Sequence, residues 1–83
     1  MEYEKKIGSR LKRIRETRRL TIKLVSDEIG YTKEMIRIVE NGTSRCNLDM
    51  YYKLCQCYET SMNIVSGATE KEFEIYMESL ILK

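Results

Sequence analysis

Apolar residues recur along this chain at three- and four-residue intervals, the spacing of an amphipathic helix rather than of a strand. Ile7, Leu11 and Ile14 predict a first helix over roughly residues 3–18. Thr21 stands where an N-cap belongs and opens a short helix whose inner face is Val25 and Ile29. Gly30 ends it, because glycine turns left-handed without a steric cost. Thr32 caps the next helix, about residues 33–40, with Ile36 and Val39 inward and Asn41-Gly42 as its stop. Asn47 caps a fourth helix, about 48–58, carried by Leu48, Tyr51 or Tyr52, Leu54, Cys55 and Tyr58. Ser61 opens a short helical turn with Met62 and Val65, closed by Gly67. Thr69 and Glu72 form a capping box for a last helix over about 70–82. Five or six short helices with tight connections predict an all-α bundle.

Composition narrows the class. Hydrophobic residues are 42% of the 83, enough for one modest core. Two segments are expected: residues 1–67 as the main domain, and 68–83 as a C-terminal helix for packing or dimerisation. Net charge is only +2, but it is unevenly spread. Residues 1–45 hold twelve Lys or Arg against seven Asp or Glu, and residues 46–83 hold three against six. A basic half joined to an acidic half fits one face turned to a polyanion; a solvated helix surface is the plainer alternative.

Cys46, Cys55 and Cys57 are odd in number and irregularly spaced, a poor disulfide framework. Cys55 and Cys57 would diverge on a helix, so they read as reduced small hydrophobes rather than metal ligands. With no histidine, no glycine-rich phosphate loop and no base beside Ser or Cys, neither an enzyme nor a metal or other cofactor is expected. No apolar stretch approaches a membrane span and no leader h-region is visible, so a cytoplasmic protein is expected.

The element of most interest is residues 21–41, two short helices joined through Gly30, which is the helix-turn-helix signature. Helix geometry, with Ile36 and Val39 inward, turns Lys33, Glu34, Arg37 and Ile38 outward on the second helix. The run Ile7-Gly8-Ser9-Arg10-Leu11-Lys12-Arg13-Ile14-Arg15, then Leu20-Thr21, Ile29-Gly30-Tyr31-Thr32, Ile36 and Glu40-Asn41-Gly42, resembles the lambda-repressor-like helix-turn-helix family. Leu48, Lys53-Leu54 and Ser61 continue the match to about Gly67, roughly three quarters of the chain.

The resemblance implies a double-stranded DNA-binding transcriptional regulator, a repressor that binds an inverted repeat as a homodimer. It implies an ion pair between Arg15 and Glu40 that pins the first helix to the end of the third. It makes Lys33, Glu34, Arg37 and Ile38 the base-reading positions. Lys33 and Arg37 suit guanine O6 and N7, Glu34 suits cytosine N4, and Ile38 suits a thymine methyl. Thr21, Lys23, Thr32, Asn41, Thr43 and Arg45 ring the element and suit phosphate, with Arg10 a further candidate. In the last helix, Phe73, Tyr76, Met77, Leu80 and Ile81 make an apolar stripe, read either as packing on the bundle or as a dimer interface.

The chain departs from the family pattern in several places. Ile22 stands where glutamine is usual, Leu24 and Ile38 replace polar residues, Glu34 brings negative charge toward DNA, and Cys46 replaces a loop proline. One reading is an operator recognised by shape and methyl contacts. The other is an apolar patch of Ile22, Leu24, Met35 and Ile38 that binds a protein partner, as in an antirepressor, inhibitor or antitoxin.

Overall fold

The computed structural model describes residues 2–82, and these are helical throughout apart from their connections. The helices are α1 (Glu2–Thr17), α2 (Ile22–Ile29), α3 (Lys33–Glu40), α4 (Leu48–Cys57) and α5 (Glu70–Ile81), with a π-helical turn at Asn63–Gly67 between the last two. Local chemistry accounts for most of these boundaries. Thr21, Thr32, Asn47 and Thr69 each accept a hydrogen bond from an amide three residues on, and the Thr69–Glu72 capping box is closed in both directions. Gly30 has φ +80°, and Gly42 has φ +73°. At Gly42 the amides of residues 42 and 43 turn back onto the carbonyls of Val39 and Ile38, a Schellman exit from α3.

Two helix ends use the same geometry without glycine. Arg19 (φ 61°) closes α1 and Glu59 (φ 54°) closes α4, each inside a matching pair of turn hydrogen bonds. The π-helical turn is closed by the Ala68 amide donating to the Asn63 carbonyl at 2.8 Å.

One core runs through the molecule. Leu11, Ile14, Val25, Ile36, Met50, Leu54, Tyr58 and Val65 are its buried centre, and Phe73 and Met77 of α5 belong to the same cluster. The stripe on the last helix therefore packs within its own chain. Phe73 and Met77 are not available as dimer contacts, Tyr76 and Leu80 are half-buried against the core, and only Ile81 of the five stays exposed. The Arg10 and Arg13 guanidinium carbons lie 4.7 and 5.2 Å from the Phe73 ring centroid. Arg13 also donates to both carboxylate oxygens of Glu74, at 2.7 and 3.1 Å, which holds that carboxyl below the usual carboxylate range.

α1 and α3 approach closely at Gly8. A Cβ there would lie 2.7 Å from the Glu40 carbonyl oxygen and nearer still to that of Val39, both backbone atoms that cannot swing aside. Gly8→Ala is therefore expected to cost about 1–3 kcal/mol by overpacking, despite alanine's better helix propensity. Chemical denaturation measures it; unchanged or greater stability would mean that the two helices separate freely.

Burial explains the cysteines. All three are free thiols, and burial pushes Cys55 up to about 11 and raises Cys46 and Cys57 as well. Among the described residues, no group of three His, Cys, Asp or Glu side chains could hold a metal ion. Among those residues, no helix is long and apolar enough to cross a membrane either.

Candidate nucleic-acid interface

The α2–turn–α3 unit is fixed to the bundle by a buried polar cluster. Arg15 Nε donates to Glu40 Oε2 at 2.9 Å and to Oε1 at 3.1 Å, and its Nη1 donates to the Leu20 carbonyl at 2.8 Å. Tyr58 Oη donates to Glu40 Oε2 at 2.7 Å. The side chains of Arg15 and Glu40 are only 10% and 2% exposed, so the charges lie out of water and depend on one another. Burial works against the Arg15 charge, but the hydrogen bonds and charge of Glu40 outweigh it, and its pKa is raised. Burial, then the Glu40 charge, drives the Tyr58 hydroxyl far above its ordinary range, so it stays a donor. By spacing alone Tyr58 is an apolar position at the end of α4. Nothing local marks it as the third member of this cluster.

The outward face of α3 carries Lys33, Glu34 and Arg37 in the open and Ile38 half-buried. Among the described residues, none of the first three forms an ion pair or a side-chain hydrogen bond. Around this face lie the residues expected to meet phosphate. Thr21 and Thr32 accept from the Leu24 and Met35 amides at 3.1 Å each, leaving each hydroxyl proton free to donate. Lys23 pairs with Asp27 at 3.1 Å, with both side chains well exposed, an i,i+4 pair worth only about 0.3–0.5 kcal/mol. Asn41 and Thr43 are exposed on either side of Gly42. Arg45 donates its Nε to Glu4 at 2.9 Å.

Arg10 is a correction. It is 3% exposed, and its Nη1 donates to the carbonyls of Ile64 and Val65 at 3.0 and 3.3 Å while its Nη2 reaches Glu70 at 3.4 Å. It ties α1 to the π-helical turn and α5, and it cannot contact DNA phosphate from there.

The suspected apolar patch is also divided. Ile22 packs against the core. Leu24, 56% exposed, opens onto a groove with Leu20, Glu28, Gln56, Cys57 and Glu59. Met35 and Ile38 line a different groove, closed by Ser44, Arg45 and Asn47.

A capped α2, a left-handed glycine, a capped α3 with an outward polar face, and a first helix pinned across α3's exit define a helix-turn-helix protein. A family model described as helix-turn-helix matches residues 11–65, well over half of the chain. The chain belongs to that family, the lambda-repressor-like helix-turn-helix proteins, and is a DNA-binding regulator of that class. No curated protein and no solved structure gives a significant match.

Proposed function

We propose that the protein is a sequence-specific transcriptional repressor that binds a short inverted repeat as a homodimer and acts by occluding the sites it covers. The observation that carries this reading is the α3 face. Lys33, Glu34 and Arg37 stand exposed and, among the described residues, without ion-pair partners, on a helix capped by Thr32 at its start and pinned through Glu40 at its end. In the major groove, Arg37 and Lys33 donate to guanine, Glu34 accepts from cytosine N4, and Ile38 meets a thymine methyl. Thr21, Lys23, Thr32, Asn41, Thr43 and Arg45 hold the register on phosphate.

A single copy reaches one half-site, and two half-sites lie about 34–36 Å apart, so a two-fold assembly suits the task. Ile75 in the middle of α5 and Ile81 and Leu82 at its end remain exposed, and they support a contact along that helix. Their neighbours Glu72, Glu74 and Glu78 suit a surface held away from the duplex.

Two substitutions test the mapping. Arg37→Ala is expected to cost about 1–3 kcal/mol on the preferred duplex and to relax preference at one base pair. Lys23→Ala is expected to weaken all duplexes alike and to flatten the salt dependence by about one charge. Unchanged duplex affinity in both would remove α3 and α2 from the interface.

A further inference from the structure

The basic side chains of α1 are not equivalent. Arg15 is buried on Glu40. Lys6 donates to the Ser66 carbonyl at 3.5 Å, Arg10 lies inside against Ile64 and Val65, and Arg13 is bound to Glu74. All three of these face the π-helical turn or α5. Lys5 and Lys12 are exposed and have no ion pair or side-chain hydrogen bond among the described residues, and of these two it is Lys5 that meets the loop after α3.

Lys5 packs directly on the exit from α3. A Cβ built on Gly42 would lie 2.6 Å from the Lys5 Cα and 2.7 Å from its Cγ, so that glycine's missing side chain is what lets the first turn of α1 settle there. Gly42 is flanked by Asn41 and Thr43, two of the residues assigned to phosphate. One residue before Lys5, Glu4 accepts from Arg45 at 2.9 Å and fixes the far side of the same loop. Glu4's own backbone amide and then Arg45 keep its carboxyl below the usual carboxylate range, so its charge is already neutralised by a partner. Arg45 spends only its Nε on this contact, which leaves both Nη groups to face outward.

We propose that the first turn of α1 is part of the DNA interface and that Lys5 is a phosphate contact beside Asn41 and Thr43. This rests on the DNA reading above. It extends the interface to a segment outside the matched family region, residues 11–65. A lysine ammonium on a flexible stem at this place adds affinity without base preference.

The test is a set of duplex titrations between 50 and 200 mM salt with the full chain, on the preferred duplex and on an unrelated one. Lys5→Ala is expected to weaken both duplexes about three- to tenfold near 0.1 M salt, and to make the log–log salt slope shallower by about 0.9. Lys5→Arg is expected to bind like the parent. Lys6→Ala, which removes the neighbouring charge on the π-turn side, is expected to leave the slope unchanged. If Lys5→Ala matches the parent in affinity and slope, the proposal is wrong and the α3 reading stands. If Lys6→Ala loses as much as Lys5→Ala, net charge rather than position is responsible and the proposal is again wrong. If the parent itself binds no duplex in a salt-sensitive way, the DNA reading fails and takes this contact with it.

Discussion

Glu40→Ala is expected to lose about 3–5 kcal/mol of folding stability, because it strands a charged guanidinium in the interior. Arg15 would keep only the Leu20 carbonyl, and Tyr58 would lose the acceptor of its 2.7 Å hydrogen bond. For a domain of 83 residues, that is a large share of a total of roughly 5–10 kcal/mol, so the variant is expected to keep only a narrow margin of stability at room temperature. Urea denaturation of parent and variant gives the difference. The double replacement Arg15→Met with Glu40→Leu is expected to recover a good part of it, since removing both charges leaves no buried ion unpaired. If the single variant were as stable as the parent, the Arg15–Glu40 contact would be a solvated pair of little weight, and α3 would not be braced by it.

Phe73→Ala is expected to be the other severe loss, about 3–5 kcal/mol, from emptying a core position that is 1% exposed. The ring also supports two guanidinium groups, those of Arg10 and Arg13, so its removal loosens the seat of α5 on α1 as well as the core. A fall in Tm of roughly 12 °C or more follows for a chain of this size. The midpoint should fall by the same amount at every protein concentration, because the contact lies within one chain. A variant of unchanged stability that passes from dimer to monomer would instead place Phe73 at an interface and contradict the packing of α5.

What could be read from the sequence was whatever the chain settles over three or four residues. The caps at Thr21, Thr32, Asn47 and Thr69 and the glycine exits at Gly30 and Gly42 are local agreements between a side chain or a backbone angle and its neighbours. They appear in the structure where the residue types imply them. The ends of α1 and α4 fall a residue earlier than the apolar spacing suggests. Arg19 and Glu59 take the left-handed angle there, and neither residue type announces it.

The long-range features were hidden for a different reason. Arg10 looks like a surface residue of a basic helix, and what buries it is a set of carbonyls more than fifty positions away, presented by a helical turn whose π form nothing in its residue types announces. Gly8 reads as a weak point in a helix, and its purpose is visible only once the carbonyls of Val39 and Glu40 are laid over it. The apolar stripe of α5 fits a bundle and an interface equally well by its spacing; only the cleft it fills distinguishes them. Of the interface, the outward positions of α3 follow from helix geometry alone. The Arg15–Glu40 pair was implied by the family resemblance and is present, while Tyr58 as its third member and Lys5 beside Gly42 needed coordinates.

The α3 face is proposed to read double-stranded DNA. Selection of the purified protein against a random duplex pool, run at low and at physiological salt, tests it most directly. An enriched motif with two-fold symmetry is expected, bound on the order of tenfold or more tightly at the lower salt. Recovery of a pool as random as the starting one at both salts, with no salt-sensitive binding, would contradict it.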